Sequence, residues 1–201
     1  MEGSLAVDVF DEDAEPFDLK DDAENDDDDF EDDEDDYDLE DASEDDVDLV
    51  VALYREDGKP VAVPLDYDLA NDLDELIRQL QRLPGDSGAD GWVSIGGDFF
   101  VICRARGRVV EVLLSDISAA HDWPIARDVV DYLGAELGDE DDDESGTVGD
   151  LEIYAASGLR GFEMEAIATD YDEDSDVLLG RIAEKLKIGA EFERAAEAFD
   201  D

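Results

Sequence analysis

The chain has 201 residues, of which 64 are Asp or Glu, 14 are Lys or Arg and one is His, giving a formal net charge of −50 at pH 7. Such a charge argues against direct binding to nucleic-acid phosphates or anionic lipid, because both depend on Lys and Arg displacing counterions, and it makes a partner with a basic surface the complementary expectation. The single cysteine, Cys103, excludes an internal disulfide and suits a reducing compartment; one His with one Cys also excludes zinc centres, Cys-His nucleophiles and His-based triads.

Residues 1–46 hold 26 Asp and Glu against one cation, Lys20. Phe10, Phe17, Phe30, Tyr37 and Leu39 stand alone between acids, too sparse to offset a backbone ordering cost of about 1–2 kcal/mol per residue, so a disordered acidic tail is predicted here. The stretch Met1–Phe10 has neither a basic n-region nor an apolar h-region, and no apolar run reaches about 18 residues anywhere. A protein neither exported nor inserted, hence cytoplasmic, is expected.

Alternation starts at Val47. Val47, Leu49, Val51 and Leu53 take one face and Val50, Ala52 and Tyr54 the other, the pattern of a strand buried on both sides. Asp57-Gly58 supplies a hairpin turn into Val61, Val63 and Leu65, where Pro60 and Pro64 favour an edge position. The spacing of Leu69, Leu73, Leu76, Ile77, Leu80 and Leu83 predicts a helix over 70–83, opened by an Asp72/Glu75 capping box and stopped by Pro84-Gly85. Three strands follow, 92–95, 99–104 and 109–114, joined by Gly96-Gly97-Asp98 and Ala105-Arg106-Gly107 in a meander. Trp123-Pro124 opens a helix through Ile125, Val129, Val130 and Leu133. Gly138 to Gly146 is a second acidic break. Residues 148–199 read as wholly helical, with Ser175 capping the stretch from Val177 to Leu186.

These elements predict an α+β architecture: a five-stranded antiparallel sheet in ββαβββα order with helices packed on it, and Leu76, Ile77, Leu80, Val101, Val112, Val129 and Leu133 in the core. The organisation is a tail over 1–46, an α+β domain over 47–137, a linker over 138–147 and a helical segment over 148–201. In element order alone this is similar to roadblock-like and profilin-like domains without their leading helix.

Chemistry-bearing motifs are sparse. His121, in Ala119-Ala120-His121-Asp122-Trp123, reads as a surface or capping residue, and Cys103 as a small buried hydrophobe. Gly96-Gly97 and Gly134 lack the context of a phosphate loop. Asp170, Asp172, Asp174 and Asp176 fall at alternate positions of a calcium loop, but Ser175 occupies the turn position that wants Gly and Arg181 the position of the bidentate Glu; a solvated linker is expected. One charge inversion stands out, Arg104, Arg106 and Arg108 at a hairpin tip, where alternation puts their side chains on one face. They either pair with neighbouring acids or anchor an acidic partner segment, including the chain's own tail. No residue is assigned to catalysis, cofactor or metal, and no cofactor is expected.

The combination of Asp48-Leu49-Val50-Val51-Ala52-Leu53-Tyr54-Arg55-Glu56-Asp57-Gly58, Leu73-Asp74-Glu75-Leu76, Val110-Glu111-Val112-Leu113-Leu114-Ser115-Asp116-Ile117-Ser118-Ala119-Ala120 and Trp123-Pro124-Ile125-Ala126-Arg127-Asp128-Val129 resembles the actinobacterial tRNA adenosine deaminase-associated protein family. The likeness runs from about Val47 to the C-terminus. It implies association with a tRNA adenosine deaminase and transfers no catalytic residues. The chain does not look like the deaminase itself: a zinc deaminase needs H-x-E and P-C-x-x-C, whereas His121 is followed by Asp122-Trp123 and Cys103 stands alone. Two readings stay open, a non-catalytic accessory module on a tRNA-modifying enzyme, tuning its basic tRNA-binding surface, and a general acidic interaction or structural protein, possible as a homodimer. An enzyme working with carboxylates alone is a third and weaker reading.

Overall fold

The computed structural model describes residues 39–139 and 145–200. The strongest apolar segment, β1 (Val47–Glu56), is buried from Val47 to Leu53 except at Asp48, as its two-sided apolar pattern predicts. Asp57 and Gly58, both at positive φ (53° and 74°), turn it back into β2 (Lys59–Pro64). The helix α1 (Leu73–Arg82) begins where two carboxylates meet its free amides: Asp72 accepts from Glu75 N at 2.8 Å and Asp128, from a later helix, accepts from Leu73 N at 3.0 Å. The meander is β3 (Ala89–Ile95), β4 (Phe99–Arg106) and β5 (Val109–Leu114), followed by α2 (Pro124–Leu133) with Pro124 in its first turn.

Among the described residues the sheet has six strands, not five, in the order β2-β1-β3-β4-β5-β6, every pair antiparallel. The added strand, β6 (Val148–Gly149), lies in the segment expected to be wholly helical. Its cause is Gly149, held at φ 110° so close to the Val112 carbonyl that a side chain there would collide with it. That approach lets Asp150 N donate to Val112 O at 2.9 Å and extends the sheet. Three helices then follow: α3 (Gly161–Ala168), α4 (Ser175–Lys185) and α5 (Gly189–Ala196).

Both faces of the sheet are apolar. Val50, Ala52, Val93, Val101, Cys103, Val112 and Leu114 pack against α1 and α2. Leu49, Val51, Leu53, Trp92, Phe100, Ile102 and Leu113 pack against Leu159, Met164, Leu179, Ile182 and Phe192 from the C-terminal helices and the loop before them. The C-terminal segment is therefore a third layer on the same sheet. Phe199 reaches the first layer, edge-on to Tyr67 at 5.2 Å between ring centroids. Six of the seven expected core residues are buried; Leu133 is 38% exposed, because α2 ends one residue later at Gly134 and its last turn overhangs the sheet.

Other expectations shift locally. Ser175 does not cap α4: Asp174 holds that position without a side-chain cap, while the Ser175 hydroxyl lies 2.6 Å from Ser94 Oγ, which donates to Asp48 at 2.7 Å. This buried hydroxyl chain ties the start of α4 to the sheet. Residues 39–46, read as tail, join the fold, with Ala42 buried and exchanging two hydrogen bonds with the Asn71 side chain at 2.7 and 3.0 Å. The predicted disorder of residues 1–38 lies outside the described residues.

With both faces covered, the two helical layers should unfold together. Leu80→Ala beneath α1 and Ile182→Ala beneath α4 should each cost about 2–5 kcal/mol. In chemical denaturation, circular dichroism and tryptophan fluorescence should follow one transition for both variants; separate transitions would show that the third layer comes off by itself.

Candidate functional site

The meander's turns set the cross-strand register that builds the most polar part of the interior. Ile95 faces Phe99 across the Gly96-Gly97 turn, so counting back places Trp92 beside Ile102 and Asp90 beside Arg104. Both charged residues thus point to the second face. Arg104, 7% exposed, donates to Asp90 through Nε and Nη2 at 2.8 and 3.1 Å and through Nη1 to the Ile153 carbonyl, with its guanidinium 4.3 Å from the centroid of the Tyr154 ring. The Tyr154 hydroxyl donates to Asp90 at 2.9 Å and accepts from Trp92 Nε1 at 2.8 Å. Among the described residues no buried side-chain nitrogen or oxygen lacks a partner.

The electrostatics hold the Tyr154 phenol protonated and the Arg104 guanidinium charged. Burial, then the charge of Asp90, pushes the Tyr154 phenol well above the ordinary tyrosine range. Burial works to lower Arg104, but the hydrogen bond and charge of Asp90 outweigh it and raise the guanidinium. A locked phenol and a bidentate ion pair suit a fixed floor and do not suit proton transfer near neutral pH. On the opposite face Cys103 is free and buried, its thiol pushed up to about 12 by burial and then by the charge of Asp90.

This network floors a cleft of about 550 Å³ between the Glu56 end of the sheet and the connection from α4 to α5. Five cations line it, Arg55, Arg104, Arg106, Lys185 and Lys187, against one carboxylate, Asp90. The predicted trio therefore separates. Arg104 is spent inside, Arg106 is half-exposed at the rim with Glu111 at 4.0 Å, and Arg108 is exposed in the turn and does not line the cleft. Arg55, Lys185 and Lys187 were not singled out from the sequence, because strand ends and a helix end more than a hundred residues apart bring them together.

At the other end of the sheet lies a second cleft, of about 430 Å³, lined by Asp98, Asp116, Asp122, Asp170, Asp172, Glu173 and Asp174 and by no Lys or Arg. The calcium-like stretch is part of it. Arg181, at the position where a calcium loop needs Glu, donates to Asp170 at 2.7 Å, so the residue in place of that Glu brings positive charge to one of the stretch's carboxylates. Among the described residues no group of three or more His, Cys, Asp or Glu is placed to hold a metal ion. His121 ends a short 3-10 turn, Ile117–His121, half-buried. No helix of the described residues is long and apolar enough to cross a membrane.

Fold and clefts define an α+β protein on a two-sided antiparallel sheet, with opposite charge gathered at the sheet's two ends. The chain belongs to the Rv3753c-like tRNA adenosine deaminase-associated protein family, whose model matches residues 48–189. It is 33% identical over 138 residues to Protein Rv3753c of Mycobacterium tuberculosis (strain ATCC 25618 / H37Rv), covering 68% of this chain and 80% of that protein. No solved structure matches the chain.

Two measurements test the buried network. Asp90→Ala leaves Arg104 uncompensated and should cost about 3–5 kcal/mol, whereas Asp90→Leu combined with Arg104→Met should cost less, because no charge is then stranded. Tyr154 and Cys103 also set an alkaline limit. Both lose their protons at lower pH in the unfolded chain than in the fold, so the folded state binds more protons and stability should fall as pH rises through the ordinary cysteine and tyrosine ranges, by about 1.4 kcal/mol per pH unit for each group. Tyr154→Phe and Cys103→Ala should flatten that slope in denaturant titrations from about pH 8 to 11.

Proposed function

We propose that this chain is a non-catalytic accessory or regulatory protein of the cytoplasm that associates with a tRNA adenosine deaminase by electrostatic contact with the enzyme's basic tRNA-binding surface. Family membership supports the association. The observation that carries the mode of contact is the acidic end of the sheet, where seven carboxylates line one concave surface and, among the described residues, only Asp170 of them is paired with a cation, Arg181. An enzyme acting on tRNA must present Lys and Arg to a polyanion, and a dense carboxylate surface is complementary to the same residues. The remaining acidic charge, including 21 Asp and Glu in residues 1–38, acts at longer range by steering the encounter.

Surface plasmon resonance between the purified chain and the deaminase tests this reading. Binding should weaken steeply as salt rises, since exposed charges are screened over about 10 Å at 0.1 M, and tRNA should compete with it. Asp98→Asn, Asp172→Asn and Glu173→Gln together should weaken it, and removal of residues 1–38 should slow association more than it speeds dissociation. Absence of binding up to about 100 μM, with self-association alone, would leave the chain a general acidic structural protein. Binding indifferent to salt would keep the partner and discard the electrostatic contact.

A further inference from the structure

We propose that the basic cleft at the Glu56 end of the sheet binds a small phosphorylated molecule, its phosphate held by Arg55, Arg106 and Lys187 and its organic part lying against Leu53, Val61 and Ile188. This site is separate from the acidic end of the sheet and does not depend on association with a deaminase.

The charge distribution is the first argument. In a chain with 64 acids and 14 cations, five of the cations line one cleft that contains a single carboxylate, already taken up by Arg104. Outside the cleft Arg78 meets Glu75 at 2.7 Å and Arg181 meets Asp170 at 2.7 Å, and at the cleft Lys185 meets Glu163 at 3.2 Å. Within the cleft, among the described residues, Arg55 and Lys187 have no carboxylate within ion-pair distance, and Arg106 has Glu111 only at 4.0 Å.

Backbone conformation is the second argument. Lys187 follows the last turn of α4 at φ 61°, a left-handed position that costs an ordinary residue about 1–2 kcal/mol and that helix ends normally give to glycine. A lysine kept there loses stability and gains a cation at the cleft, the exchange found where strain serves a site. The third argument is form. A volume of about 550 Å³ falls in the range of small-molecule sites, Leu53, Val61 and Ile188 add apolar surface to a lining that is otherwise mostly polar, and the Asp90–Arg104–Tyr154 floor is hydrogen-bonded. Arg55, which donates to the Gly58 carbonyl at 3.2 Å, Arg106 and Lys187 line one concavity and offer donors to the oxygens of a phosphate ester.

Isothermal titration calorimetry of the full chain against ADP and against inorganic pyrophosphate tests the site. ADP should bind saturably at one site and more tightly than pyrophosphate, because only ADP uses the apolar wall. Arg55→Gln and Lys187→Gln should each weaken it about tenfold, and Lys59→Gln, exposed on β2 outside the cleft, should not change it. Lys187→Gly supplies a control against misfolding: it should raise the melting temperature by about 2–4 °C while weakening ADP as much as Lys187→Gln does. No saturable heat with either probe up to about 1 mM, or equal binding by the wild type and the cleft variants, would overturn the proposal. Tighter binding of a synthetic peptide copying residues 21–38, or of a short single-stranded RNA, than of ADP would overturn it in favour of a peptide or an RNA surface.

Discussion

Burial of both faces of one antiparallel sheet is the constraint on which the rest of the molecule depends. A sheet apolar on one side needs a single helical layer, but β1, β3 and β4 carry apolar side chains on both. The chain meets this demand in sequence order: α1 and α2 cover the first face as the meander is completed, and α3, α4 and α5, later in the chain, cover the second. Everything singular in the structure sits where this second covering meets the sheet. The Ser94–Ser175 contact anchors α4 at one end, and Arg104 and Asp90 receive Tyr154 at the other.

Local chemistry was readable where one segment decides one element. Asp57-Gly58 with alternation on both sides defines the first hairpin, Asp72 with leucines at helical spacing defines α1, and Trp123-Pro124 marks the start of α2. What escaped was set by distant partners. The strand at Val148–Gly149 needs β5 to accept it, and the one local signal for it, Gly149, acquires its meaning only from the close approach to the Val112 carbonyl. Ser175 looked like a cap because Ser before an apolar run usually is one; a serine 81 positions away claims its hydroxyl.

Arg104 is the instructive case. Alternation placed it on a face with Arg106, and of the two readings, pairing with an acid or anchoring a partner segment, Arg104 takes the first, with Asp90. Its burial was implied by the register across Gly96-Gly97, which opposes it to Asp90, an acid between apolar strand residues. The phenol of Tyr154 that completes the network comes from 64 residues beyond Asp90, and no local pattern points to it. The basic cleft was hidden for the same reason, since its cations come from β1, β4 and the end of α4.

The contact between Tyr67 and Phe199 joins the first helical layer to nearly the last described residue. On a chain made from its N-terminus, the sheet can form and gain α1 and α2 while Leu49, Trp92, Phe100 and Ile102 still face water, awaiting helices not yet synthesised. Nascent chains would pass through a stage with one greasy side of a finished sheet exposed, the state in which neighbouring polypeptides on one message are most prone to stick. The acidic residues ahead of β1 are made before that surface, so like-charge repulsion between adjacent nascent chains acts during the interval when the fold offers no protection of its own.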